Sequence, residues 1–281
     1  MNIDQAIKEA SINLKKNRIR SAFLDCEILM AKVLKKSRNF IIMNPNQEIN
    51  SDDYMNFKEL IFSRTKNKPI AYITGEKSFW KYDFKVNNNV LIPRPDSEII
   101  IENVLKIYKK KSNINFLEIG VGSGCIILSI LKEKKTFLGK GVDVSKECLK
   151  VCLENANKLG LFNRIKLFNS DIDNFNFGKY DLIVSNPPYI KNLSFRNMDD
   201  EIVKYEPKIA LDGGLDGLSE IRKVIKKSSE LIKIHGKLIL EIAHDQKTMV
   251  KNILTDHGFF INEVIKDLSE NDRCIISTKI K

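Results

Sequence analysis

The chain has 281 residues, 43% hydrophobic and 30% charged, enough for one large α/β domain and a small accessory one. No stretch approaches the roughly 20 apolar residues of a membrane span, and Met1-Asn2-Ile3-Asp4-Gln5 lacks the basic-then-apolar layout of a signal peptide, so a soluble, cytoplasmic protein is expected. The net charge of +11 suits polyanions or partners that sit on them, but Lys, Ile and Asn are abundant throughout and the basic residues form no single tract. The cysteines, Cys26, Cys125, Cys148, Cys152 and Cys274, form no C-x-x-C pair, and His235, His244 and His257 have no ligand spacing. Reduced thiols and no metal are expected.

Residues 1 to about 75 carry apolar side chains at helical spacing: Ile3, Ala6, Ile7 and Ala10, then Phe23, Cys26, Ile28, Leu29, Val33 and Leu34, then Tyr54, Phe57, Leu60 and Ile61. They read as a small helical bundle without a catalytic constellation. Phe84 and Val86 then alternate with polar residues, and Asn87-Asn88-Asn89 is turn-like, which predicts a hairpin within residues 79–92. Pro95 suits a first helical position, with Asp96 and Glu98 at the helix N-terminus.

Downstream, strands are predicted at 114–119, 139–144, 165–168, 181–185, 237–242, 259–265 and 273–278. Helices are predicted at 124–133, 146–159, 218–234 and 246–257. This alternation implies a doubly wound, mostly parallel sheet. The short polar loop between the last two strands makes them an antiparallel pair. The organisation is therefore a helical domain at 1–78, a hairpin linker at 79–92 and an α/β domain at 93–281.

The first strand of that domain runs into Gly120-Val121-Gly122-Ser123-Gly124 and a helix. In an open α/β sheet, ligands bind at the carboxyl ends of the strands, and glycines there permit positive φ and close backbone approach. The spacing departs from G-x-G-x-x-G, with Cys125 in place of a third glycine, and lacks the Gly-Lys-Ser of a P-loop. Asp143 ends the second strand, where a carboxylate can accept both ribose hydroxyls; the alternative is a helix cap, for which Ser145 is equally suited. Asp171 follows the third strand and can accept from an adenine amino group while Ile172 packs on the ring; alternatively it is a loop aspartate. Glu118 and Asp171 would favour a cationic sulfonium. Together these residues point to S-adenosyl-L-methionine.

The fourth strand runs into Asn186-Pro187-Pro188-Tyr189. A planar nitrogen is a poor nucleophile because its lone pair is delocalised. Holding it in line with a sulfonium methyl and accepting hydrogen bonds from its N–H groups restores density to it. The Asn186 side-chain oxygen and the Pro187 carbonyl can accept those bonds, and Asn186 also borders the cofactor. Pro187 and Pro188 fix the loop, and Tyr189 can pack on the planar group. Positioning of this kind is worth up to about 7–11 kcal/mol. The alkylated nitrogen loses its proton readily to water, so no general base is named.

With these residues in place, the chain resembles the HemK-type protein-(glutamine N5) methyltransferases, which modify class I peptide chain release factors. Lys68-Pro69-Ile70-Ala71-Tyr72-Ile73-Thr74-Gly75 and Val90-Leu91-Ile92-Pro93-Arg94-Pro95-Asp96-Ser97-Glu98 look like two signatures of the group. Glu206-Pro207-Lys208-Ile209-Ala210-Leu211-Asp212-Gly213-Gly214-Leu215-Asp216-Gly217-Leu218 looks like a third. Leu240-Glu241-Ile242 before Gln246, and Asp267-Leu268 before Asp272-Arg273, fit its C-terminal end. Departures are Lys81 where glycine is usual, Asp96-Ser97 for the commoner Glu-Thr, and Ala243 for glycine.

The resemblance implies a substrate-engaging helical domain and a seven-stranded class I methyltransferase sheet. It also implies that Asn186–Tyr189 bind the target glutamine and that the residues around Gly120, Asp143 and Ile172 hold the cofactor. Arg94 is a further candidate near the site. A monomer with no stable nucleic-acid partner is expected. The rival readings are adenine-N6 methylation of DNA or RNA, which uses the same tetrapeptide on a base extracted into a pocket, a ribosomal-protein glutamine as substrate, and a non-enzymatic binding module.

Overall fold

The Asn2 side chain accepts a hydrogen bond from the Gln5 amide at 2.9 Å while the Gln5 side chain accepts one from the Asn2 amide at 3.2 Å. This reciprocal cap starts the first helix of the computed structural model, which describes all 281 residues. The first five helices, in order, are α1 (Ile3–Lys16), α2 (Ala22–Leu34), α3 (Arg38–Met43), α4 (Ser51–Thr65) and α5 (Ile70–Thr74). Their apolar stripes meet in one core that includes Ile3, Ile7, Leu14, Leu29, Met30, Phe57 and Ile61. This unit comprises residues 1–76 together with 199–205.

The second unit, residues 77–198 and 206–281, carries the sheet. Its first strands form a hairpin, β1 (Glu76–Phe79), all but the first residue of which lies in this unit, and β2 (Tyr82–Lys85). A 3-10 turn over Pro95–Ser97 leads into α6 (Glu98–Ile107). Then follow β3 (Asn115–Ile119), α7 (Cys125–Glu133), β4 (Leu138–Asp143), α8 (Lys146–Lys158), β5 (Ile165–Asn169) and β6 (Tyr180–Ser185). The short α9 (Asp200–Tyr205) belongs to the helical unit, and α10 (Ser219–Leu231), β7 (Ile232–Glu241), α11 (Lys247–Asp256), β8 (Phe259–Lys266) and β9 (Asp272–Lys279) complete the chain. The strand order is β5-β4-β3-β6-β7-β9-β8. All neighbours are parallel except β9, which is antiparallel to both β7 and β8. One apolar layer centres on Phe116, Ile127 and Leu131, the other on Leu117, Ile183, Leu238 and Ile225. Because β3 and β6 are central and covered on both faces, consecutive apolar residues are buried in each, Phe116 and Leu117 in β3 and Leu182, Ile183 and Val184 in β6. No helix is long and apolar enough to cross a membrane.

Three elements depart from the sequence reading. The hairpin turns at Trp80-Lys81, not at the asparagine run, because Trp80 adopts a φ of 56°. Asn87 instead makes its own turn, its side chain accepting from Asn89 and its carbonyl from Val90. The helix predicted to reach residue 234 ends at Leu231, and β7 begins there. His235 at φ 66° and a register shift opposite Tyr180–Leu182 break that strand into two paired stretches, and this irregularity disguised its first half. Third, Phe23 is 48% exposed, whereas Asp25 and Glu27 on the same helix are buried. Arg64 donates from Nε to Asp25 at 2.7 Å and from Nη1 to Glu201 of α9 at 2.9 Å, and Arg38 donates to Glu27. Paired carboxylates can occupy core positions that a hydrophobic pattern assigns to apolar residues.

Candidate active site

The Gly120–Gly124 loop turns from β3 into α7 through three left-handed glycines, at φ 76°, 52° and 80° for Gly120, Gly122 and Gly124. L-residues with side chains avoid this region. Asp143, at the end of β4, braces the loop: its Oδ2 accepts from the Gly122 amide at 3.0 Å and its Oδ1 from the Ser145 amide at 2.9 Å. Ser145 itself caps α8, accepting from Cys148. Ser145 is therefore the side-chain cap of α8, and Asp143 braces the glycine loop at the cavity wall. Glu118 is fully buried two residues before Gly120, and its Oε2 accepts from the Ile127 amide at 2.9 Å in the first turn of α7.

Asn186–Tyr189 leave β6 beside this loop, and Ser185 Oγ donates to the Ile119 carbonyl at 2.8 Å to lock the two strand ends together. The Asn186 Nδ2 donates to Ser97 Oγ at 2.9 Å, and Ser97 Oγ donates to Glu241 Oε2 at 2.6 Å. The Tyr189 hydroxyl donates to Glu241 Oε1 at 3.1 Å. From behind, Gln246 Nε2 donates to the carbonyls of Gly217 and Tyr189, at 2.9 and 3.3 Å. A Cβ at Gly217 would lie 2.6 Å from the Tyr189 oxygen, and one at Gly213 would lie 2.8 Å from the Tyr189 carbonyl carbon. These glycines allow the Glu206–Leu218 segment to pack directly on the backbone of the tetrapeptide. Glu206, at its start, accepts from the Ile92 amide at 3.2 Å and pairs with the Arg94 guanidinium.

A cavity of about 650 Å³ opens at the carboxyl ends of the central strands. Gly120, Val121, Gly122, Ser123, Asp143, Asp171, Ile172, Asn186, Pro187 and Pro188 all line it, as do Arg94, Ser97 and Glu118. Gly124 and Tyr189 do not. Gly124 packs under the loop against Cys152 and Leu128, and Tyr189 turns its hydroxyl to Glu241 and its ring to the apolar layer. Asp171 caps the 3-10 turn that holds Ile172, accepting from Asp173.

Burial raises the Glu118 carboxyl well above its usual range, against the opposing Ile127 amide, and the Asp143 charge adds to the effect. Burial also raises Asp143, opposed by its two amide donors. Glu241 is pushed up to about 7 by burial, although Ser97, Tyr189 and Arg273 favour its charged form. Burial and the Glu241 charge push the Tyr189 phenol upward. Reasoning from the sequence placed Glu241 and Gln246 only in a C-terminal resemblance and gave Ser97 and Glu206 no role at the site. Their signal is an apolar strand ending in a buried Glu, which has no local meaning until its partners arrive.

The chain matches two family models: the PrmC N-terminal domain over residues 5–75 and the methyltransferase small domain over 96–215. The release factor glutamine methyltransferase of Caulobacter vibrioides is 34% identical over 271 residues, covering 96% of this chain and 94% of that protein. The bifunctional methyltransferase of Rickettsia conorii is 33% identical over 303 residues, covering 99% of this chain; the present chain spans 58% of that relative's length. Among solved structures, a methyltransferase from Pyrococcus furiosus aligns with a TM-score of 0.55 over 80% of this chain and 99% of that one, at 19% identity, a likeness of fold.

Proposed function

The chain belongs to the release factor glutamine methyltransferase family, and we propose that it methylates the side-chain amide nitrogen, N5, of a glutamine in a class I peptide chain release factor. S-adenosyl-L-methionine supplies an electrophilic sulfonium methyl for this reaction. The cavity of about 650 Å³ lies within the range of small-molecule and cofactor sites, roughly 300–1,000 Å³. Gly120 and Gly122 allow close approach, Asp143 offers its carboxylate to the ribose, and Asp171 with Ile172 receives the adenine. Glu118 complements the positive charge. In this reading the protein works as a cytoplasmic monomer without a stable nucleic-acid partner. Residues 1–78 engage the substrate protein, 79–92 link, and 93–281 perform the transfer.

The observation that carries the reading is the state of Asn186. Its amide NH₂ is held by Ser97, which leaves Oδ1 as the unclaimed acceptor of a residue lining the cavity. Oδ1 and the Pro187 carbonyl accept hydrogen bonds from the glutamine N–H groups, orienting the nitrogen lone pair toward the methyl. As that nitrogen acquires positive charge these bonds strengthen, so they favour the transition state over the bound substrate. Water takes the released proton.

The test is methyl transfer from labelled S-adenosyl-L-methionine to a release factor, beside its Gln→Ala variant in the glycine-rich loop, with duplex DNA in parallel. Label on the unmodified release factor alone is expected; label on DNA would establish the adenine reading, and label on neither would turn the search to ribosomal proteins. Asn186→Ala should lower kcat by about 100-fold or more, as for loss of one preorganised transition-state contact, while cofactor affinity persists. Undiminished turnover would remove Asn186 from the mechanism.

A further inference from the structure

We propose that Glu241, acting through the Ser97 hydroxyl, sets which end of the Asn186 amide faces the substrate, and that the pair are positioning residues for transfer. The inference rests on the glutamine-methylation reading. A serine hydroxyl has one hydrogen to donate. Ser97 Oγ lies 2.6 Å from Glu241 Oε2 and 2.9 Å from Asn186 Nδ2. An ionised carboxylate only accepts, so the Ser97 hydrogen is committed to Glu241 and Asn186 meets a lone pair. Only the NH₂ end of Asn186 can satisfy that lone pair, which turns the oxygen to the other side. The second carboxylate oxygen accepts from Tyr189, so one buried anion orders both ends of the tetrapeptide. Ser97 and Glu241 are each almost wholly buried, at 2% and 1% exposure, so water does not compete for these bonds.

The control is needed because an asparagine amide is nearly symmetric in shape. Rotated by half a turn, Asn186 would set N–H donors against the N–H donors of the glutamine, and no steric clash would prevent it. Protonation of Glu241 reverses the chain of donors: a carboxylic acid can donate to Ser97 Oγ, and Ser97 is then free to donate to the Asn186 oxygen. Ser97 and Asp96 face Glu241 from the turn before α6, Tyr189 from the loop after β6, Arg273 and Cys274 from β9, and Cys125 from the start of α7. Arg273 and the two hydroxyl donors favour the anion, while burial and Asp96 oppose it. Arg273 is itself held by Asp267 at 2.9 Å and Asp96 at 3.5 Å, so the positive charge is fixed in place. Threonine retains the hydroxyl and satisfies the same polarity.

The experiment measures kcat, KM for the release factor and cofactor Kd across pH for the wild type, S97A, S97T and E241Q. S97A should lose about 10- to 100-fold in kcat, the consequence of an unmade buried hydrogen bond and a free amide rotor, with KM and cofactor Kd changed much less. S97T should restore most of that loss. Wild-type kcat should fall as pH drops through about 7, where Glu241 protonates. E241Q, which carries both a donor and an acceptor, should be slow throughout and lack that step. Retention of wild-type kcat by S97A, loss of cofactor affinity in S97A, or an acid limb unchanged in E241Q would each overturn the positioning role while wild-type transfer to the release factor stands. Absence of that transfer would overturn the reading itself, and the proposal with it.

Discussion

Gly124→Ala separates a structural glycine from its ligand-facing neighbours. Gly124 holds φ at 80°, and a Cβ there would lie 2.5 Å from Cys152 Sγ and 3.0 Å from Leu128 Cδ1. The left-handed backbone costs about 1–2 kcal/mol for a residue with a side chain. Overpacking against a fully buried sulfur on α8 adds about 1–3 kcal/mol. Together they predict a loss of about 2–5 kcal/mol in urea unfolding. Cys152→Ala removes the sulfur, so the double variant should be less damaged than the sum of the two singles by about 1–3 kcal/mol. Gly120→Ala and Gly122→Ala meet nothing within 4 Å but line the cavity. They should carry only the backbone cost of about 1–2 kcal/mol and lose cofactor affinity. A Gly124→Ala stability within about 0.5 kcal/mol of wild type, or strict additivity with Cys152→Ala, would refute the packing argument.

Asp143→Ala strips two backbone amides of their acceptor and removes the proposed ribose contact; cofactor Kd by calorimetry should weaken by about 10- to 100-fold, and an unchanged Kd would reduce Asp143 to a brace for the empty loop. Arg64→Met leaves the buried Asp25 carboxylate without its cation, so the helical unit should lose about 3–5 kcal/mol in thermal unfolding; a loss under about 1 kcal/mol would mean that water or another cation compensates. Glu118, raised by burial, is protonated in a larger share of empty protein than an exposed carboxylate would be. Binding of a cationic cofactor should therefore expel a proton and weaken as pH falls through the raised value. Calorimetry in buffers of different ionisation enthalpy reads this directly, and equal heats in all of them would count against a charge role for Glu118. A carboxyl raised in the fold also lowers stability once ionised: the contribution of Glu118 and Glu241 is fully present below the ordinary Glu range and is lost as pH rises through the raised value of Glu118 and, at about 7, that of Glu241, whereas carboxyls lowered in the fold, such as Asp267 and Glu133, act in the opposite direction. Glu118→Gln should flatten that decline in denaturant titrations across pH.

Local patterns carried much of the architecture. The alternation of apolar runs located the seven strands of the large sheet to within a residue at every end except the start of β7, because a buried parallel strand declares itself in its own side chains. The glycine loop and Asn186–Tyr189 were legible for a similar reason, since backbone conformation and planar recognition require particular residue types at fixed spacing. What tertiary structure alone decided is the polar support of the site. Ser97 and Glu241 meet across 144 residues of chain, Arg94 and Glu206 across 112, and Gln246 reaches the Tyr189 carbonyl across 57. No periodicity records which buried donor will find which acceptor, because burial is set by distant elements and the bond has value only once water is excluded. The same holds for Asp25 and Arg64: a charge on the core side of a helix reads as an error until the fold delivers its partner.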